Sequence, residues 1–187
     1  MSEIRKANVE GAAYFITLTV EGWVDVFTRK VLVDELVNNL KYCQEHKGLE
    51  VFAYVIMPSH VHLIVRREGG LLSDWLRDFK AFTAKRMLAL IASETGESRR
   101  EWMLPFFEQQ AVGKAQNKLF AFWRKDSHPI ELWSGKVVEQ KIQYIHQNPV
   151  EQGIVTEAHH YLLCSAHIDG PLVLNGYLQR VDGNKLV

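Results

Sequence analysis

Cysteine is nearly absent from this chain: Cys43 and Cys164 are the only two, far apart and outside any paired motif. That argues against a disulfide framework or a cysteine-ligated zinc site, and it fits a reducing cytoplasm. No apolar run is long enough to span a bilayer, so no membrane partner is expected. The first stretch, MSEIRKANVEGAAYFITLTV, lacks the basic start, apolar centre and small-residue cleavage site of a secretory leader. Net charge is missing too, with 22 basic residues against 22 acidic ones, but the balance is uneven along the chain. Residues 77–125 hold ten basic and five acidic residues. Such a basic middle marks either where a polyanion lies or a solvated helix face. A length of 187 residues suits a single domain, 1–187, with its own core.

What the chain does contain is periodic. Tyr14 to Val20 is β-branched and aromatic and reads as a buried strand. From Lys30 to His46, Val33, Leu36, Val37, Leu40 and Cys43 recur at helical spacing, and Gly48 suits the stop. Leu49–Met57 is a second strand, Pro58-Ser59 a corner, and His60–Arg67 a third strand. Ser73 is a candidate N-cap for a long helix with Leu76, Phe79, Phe82, Thr83, Met87 and Leu90 on one stripe. A fourth strand is expected at Leu119–Arg124, a loop or short strand at Ser127–Trp133, and a last helix from Ser134, interrupted at Asn148-Pro149. The order strand, helix, strand, strand, helix, strand predicts an α+β domain. Its form is the split β-α-β (ferredoxin-like) fold, an antiparallel sheet with helices on one face and the other face open to ligands.

Side chains alternate across a strand, so His60 and His62 share one face and Val61, Leu63 and Val65 the other. With the valines and leucine toward the helices, both imidazoles project from the open face, close enough to share one metal ion. Imidazole suits several metals, and by spacing alone the pair is equally well two surface histidines on a half-exposed strand. In KIQYIHQNPVEQGIV, Tyr144 and Asn148 are four apart and neighbours on one helix face. Pro149 disfavours helix at Asn148, so the helix is expected to end or kink there, leaving the amide oxygen available to a hard cation. Taken singly, Tyr144 reads as a packed aromatic and Asn148 as a C-cap. Taken with His60 and His62, they describe a metal centre beside a covalent nucleophile.

VIMPSHVHLIV resembles the histidine–hydrophobic–histidine motif of the HUH nucleases, and QYIHQNPVEQGIV resembles the tyrosine-bearing helix of their single-tyrosine transposases. Together they resemble the REP-associated tyrosine transposases and related insertion-sequence transposases, over roughly residues 13–168. Residues 169–187 are left as a C-terminal tail. YLLCSA, Tyr161 to Ala166, is similar to the family's trailing Tyr-Ser-Ser-Ala region, with Cys164-Ser165 in place of the serine pair. Ser59 stands where the family commonly has asparagine. The resemblance implies the HUH site on the open sheet face, with His60, His62 and Asn148 as ligands of Mg2+ or Mn2+ and Tyr144 as the nucleophile. It further implies cleavage and rejoining of single-stranded or hairpin DNA through a 5′-phosphotyrosine, by a monomer or a homodimer.

DNA is then expected over the open face and along the basic middle, with Arg77, Lys80, Lys85, Arg86, Arg124 and Lys125 as candidate phosphate contacts. Trp75, Trp102, Trp123 and Trp133 could supply a stacking platform, but a tryptophan is more often a core residue, and none is named as a site. His128 is a second-rank site candidate, and His146, two residues from Tyr144, is turned away from it. The competing readings are a catalytically inactive single-stranded nucleic-acid-binding module on the same fold, and a small-molecule metalloenzyme in which Tyr144 is structural.

Overall fold

A computed structural model describes residues 7–93, 96–112 and 119–176, together with the backbone of 180–181 and 185–186. Strand β1 (Tyr14–Thr19) leads through two short 3-10 turns into helix α1 (Lys30–His46). Strands β2 (Leu49–Ile56) and β3 (His60–Arg67) follow, then helices α2 (Leu72–Ser93) and α3 (Arg100–Gln109). The two-residue strand β4 (Ile130–Glu131) precedes helix α4 (Gly135–Glu151), and Arg180–Val181 pairs with Lys185–Leu186 in a small hairpin. The main sheet runs β2-β3-β1-β4 with every pairing antiparallel. This is the strand order of the split β-α-β fold.

Alternation along β1, β2 and β3 sorts the side chains into two layers. Ile16, Leu18, Ile56, Val61, Leu63 and Val65 meet Leu36 and Leu40 of α1 and Phe79 and Met87 of α2. Phe15, Ala53, Val55 and Ile64 occupy the other face, where Val138 and Ile145 of α4 and Cys164 cover them. The second face is therefore partly roofed: the tyrosine helix lies on it, and the histidines sit under that roof. α2 begins one residue before Ser73, and Phe82 points outward rather than joining the stripe.

The fourth strand lies later than its sequence pattern suggests. Leu119–Arg124 contributes only an isolated bridge, Trp123 to Val20, while β4 pairs with Tyr14 and Phe15. Phe122 and Trp123 are drawn into the core, and the Trp123 indole donates to Thr83 Oγ1 at 3.0 Å. The Lys80 ammonium donates to the carbonyls of Arg124 and Lys125 at 2.6 and 2.9 Å. The segment still meets β1 at single points, with the Arg124 amide donating to the Thr19 carbonyl at 2.8 Å and the Thr17 amide to the Ser127 carbonyl at 2.9 Å, but a paired ladder forms only at Ile130–Glu131.

α4 starts where Ser134 accepts a hydrogen bond from the Val137 amide at 3.4 Å, a normal N-cap. It does not end at Asn148. Pro149 sits inside the last turn, and the helix continues to Glu151. Pro149 removes one amide from the ladder near the helix end, and beyond it the Gln152 amide reaches the Asn148 carbonyl at 3.1 Å. Among the described residues no helix is long and apolar enough to cross a membrane.

Candidate active site

β3 lies beside β1 with Thr17 opposite His62 and Thr19 opposite His60, so polar side chains line the middle of the second face. Both imidazoles are buried, at 4% and 5% exposure, beneath α4. Their rings stand 4.8 Å apart, edge to face. His62 Nδ1 hydrogen-bonds the Thr17 hydroxyl at 2.9 Å, and His60 Nδ1 lies 3.3 Å from the Ser59 hydroxyl. These contacts fix each ring's orientation and leave its other nitrogen available to a ligand.

Burial favours the neutral imidazoles. It lowers the His60 pKa, opposed by the Asn148 amide and Asp25. It lowers that of His62 to about 3, with His60 and Lys141 adding repulsion. Neutral imidazole is the form that binds a metal.

α4 supplies the remaining parts. Asn148 is buried at 6% exposure, and its side-chain oxygen has no hydrogen-bond partner. A buried carbonyl without a donor next to two neutral imidazoles fits a cation site of two nitrogens and one oxygen. Tyr144, one turn earlier, is 42% exposed, with its ring 5.2 Å from His62 and edge-on to it. Phe15 stacks on His62 at 5.4 Å and meets Tyr144 edge-on at 5.7 Å. The arrangement sets a half-exposed tyrosine ring beside a buried site lined by nitrogen and oxygen.

His60, His62, Tyr144 and Asn148, chosen from two distant segments, are thus brought together. The cations fall elsewhere. α2 packs on the opposite face of the sheet, where Arg77 pairs with Asp74 and Asp78, and Arg86 with Glu35. Lys80 reaches the edge segment, while Lys85 and Lys125 are exposed. Arg124 touches the site's surroundings, its guanidinium 6.0 Å over the Trp23 ring. Trp75 and Trp123 are core residues, and Trp102 and Trp133 are exposed. His128 is exposed on its loop, and His146 turns away to Ser165 Oγ at 3.1 Å.

Three neighbours escape a sequence reading. Thr17 looks like any strand threonine. The Lys141 ammonium lies 4.8 Å from the Phe15 ring centre and 5.6 Å from that of Tyr144, a contact legible only as a position one turn before the tyrosine. Trp23, in EGWVD between two elements, has no periodicity to mark it, yet its ring stands 5.3 Å from His60. Just after α4, exposed Glu157, His159 and His160 form a separate cluster whose ligand atoms lie within 4.8 Å of one another. Glu157 and His159 already pair at 3.4 Å.

No family model and no curated protein matches the chain. Among solved structures, it is similar to a REP-associated tyrosine transposase bound to a REP hairpin. The match spans 100% of this chain and 99% of that one, with a TM-score of 0.64 and 16% identity. The chain shares the fold of that transposase. A candidate transposase from Deinococcus radiodurans matches more weakly, at 22% identity over 78% of this chain and 95% of that one, with a TM-score of 0.46.

Proposed function

We propose that this protein is a metal-dependent single-stranded DNA endonuclease and strand transferase, a tyrosine HUH transposase that cleaves and rejoins DNA near hairpins. The reading rests on one observation above the others. Tyr144 is presented beside His62 over a buried site in which the Asn148 oxygen lacks a partner. The fold shared with a hairpin-bound transposase supports DNA as the substrate.

His60, His62 and Asn148 would hold Mg2+ or Mn2+, which when bound neutralises charge on the scissile phosphate and polarises a non-bridging oxygen. Tyr144 does the covalent work. Its oxygen attacks phosphorus, forming a P–O bond to the tyrosine as the bond to the upstream 3′ oxygen breaks. The phenolic proton passes to solvent at the half-exposed ring, and the departing oxygen takes a proton from water to become a 3′-hydroxyl. The 5′-phosphotyrosine keeps the ester, so a 3′-hydroxyl can reverse the step and join a new end. Lys141 puts positive charge on the Tyr144 side of the site, where the phosphate must sit.

Incubation with labelled single-stranded hairpin DNA and Mg2+ or Mn2+ should give a covalent adduct on a denaturing gel. Tyr144→Phe should abolish it, and His60→Ala or His62→Ala should cut it by at least about 100-fold, as loss of a metal's charge stabilisation does. An undiminished adduct in Tyr144→Phe sinks the nucleophile assignment. Binding with no adduct would instead favour an inactive nucleic-acid-binding module.

A further inference from the structure

Four aromatic rings line the site in sequence: Trp23, His60, His62 and Tyr144, at successive centroid distances of 5.3, 4.8 and 5.2 Å. The nucleophile stands at one end and Trp23 at the other. Trp23 is 53% exposed and has φ +56°, a left-handed backbone that bulky residues rarely adopt. Its turn is built to keep it there. Gly22 also has positive φ, and a Cβ on it would run into the Phe106 ring of α3. The Trp23 amide donates to the Val20 carbonyl at 3.0 Å, and the Val20 amide to the Ser59 carbonyl at 2.9 Å. The indole is thereby anchored to the corner that precedes His60, and the Arg124 guanidinium lies over it.

In-line displacement places the leaving oxygen opposite the attacking one. With Tyr144 at one end of the row, the leaving 3′ oxygen and its nucleotide point toward the other end. We propose that Trp23 is a stacking platform for the base immediately 5′ of the cleaved bond, with Arg124 meeting that nucleotide's phosphate. The inference rests on the strand-transfer reading above. It gives Trp23 a specific task, retaining the freed 3′ end for rejoining, and Trp23 acts as a positioning residue.

The test uses Tyr144→Phe protein, which binds without turnover, and single-stranded hairpin oligonucleotides followed by fluorescence anisotropy. Glycine suits φ +56°, so Trp23→Gly keeps the turn and is the variant of choice. It should weaken binding about 5- to 150-fold, the span of one lost base stack, and Trp23→Phe should restore most of it. An abasic residue walked along the strand should erase the Trp23→Gly penalty at one position, the nucleotide 5′ of the bond mapped by cleavage with wild-type protein. A penalty below about twofold (well under one lost stack), one unchanged at every abasic position, or one erased on the 3′ side overturns the proposal. If the wild-type protein forms no adduct, the strand-transfer chemistry fails on its own gel. The platform is then still judged by whether one abasic position absorbs the penalty.

Discussion

The side-chain oxygen of Asn148 is buried without a donor, a state that costs about 1–3 kcal/mol in a folded protein. The histidines beside it are better provided for, since Ser59 and Thr17 hydroxyls engage their Nδ1 atoms. An acceptor left without a donor beside two oriented imidazoles is a local loss of stability that a ligand would recover, the usual trade between stability and activity. Asn148→Leu separates the two. In EDTA the variant should unfold at the same temperature as wild type or higher, because the orphaned acceptor is replaced by apolar volume. Adduct formation should meanwhile fall at least about tenfold, as for loss of a metal-site group. A clear drop in unfolding temperature would mean that the amide is a packing residue, and the cation site would lose its oxygen.

The turn between β1 and α1 carries Trp23 and depends on α3 for its shape. Phe106 closes over Gly22, and Arg99 donates to the Asp25 carbonyl at 2.6 Å and to Thr28 Oγ1 at 3.1 Å. Glu97 holds Arg99 in that position. Its carboxylate is buried and accepts from the Arg99 amide, Nε and a terminal nitrogen at 3.0, 2.8 and 2.6 Å, with Arg29 at 3.8 Å. Arg99 above all, with Arg29 behind it, keeps the Glu97 carboxyl below the usual carboxylate range. A depressed native pKa gives stability that is complete above the unfolded value of about 4.3 and is lost as pH falls through the lower native one. Glu97→Gln should therefore cost about 1.5–3 kcal/mol at pH 7, the range for hydrogen bonds to charged groups. Urea midpoints of wild type and variant should converge toward pH 3. A gap that stays constant with pH would show that the carboxylate's charge contributes nothing and that only its shape matters.

Across the whole molecule, the elements with a strong period were legible: β1, α1, the β2–β3 corner, α2 and α4 lie within a few residues of their patterns. The closeness of His60, His62, Tyr144 and Asn148 was legible as well, because alternation puts the two histidines on one face and helical spacing puts Tyr144 one turn before Asn148. Features settled by distant partners were not legible. The expected fourth strand gives Phe122 and Trp123 to the core and a single bridge to Val20, so the ladder forms later, and the charge run on α2 is partly consumed by Asp74, Asp78 and Glu35. The segment after α4 was the least legible, because its role is carried mainly by backbone groups. β2 is an edge strand, and that segment covers its unpaired side. The Ile56 amide donates to the Leu163 carbonyl and the Ser165 amide to the Tyr54 carbonyl, both at 2.9 Å. The Tyr54 amide finds Ser165 Oγ at 3.0 Å, and that of Val51 finds Asn175 Oδ1 at 2.9 Å. Ser165 also meets His146, so one hydroxyl ties the sheet edge to the helix that bears Tyr144. Ser165→Ala should cost about 1–3 kcal/mol through the two unmet partners. It should speed hydrogen exchange at Tyr54 and Ile56, while the amides of Ile16 and Leu63 in the centre of the sheet keep their protection. Adduct formation should fall with it, because α4 loses the tie that sets the height of Tyr144 over His62. If β2 exchange is unchanged and the adduct is intact, the segment is a passive cover, and the placement of Tyr144 belongs to the α4 packing of Val138 and Ile145 alone.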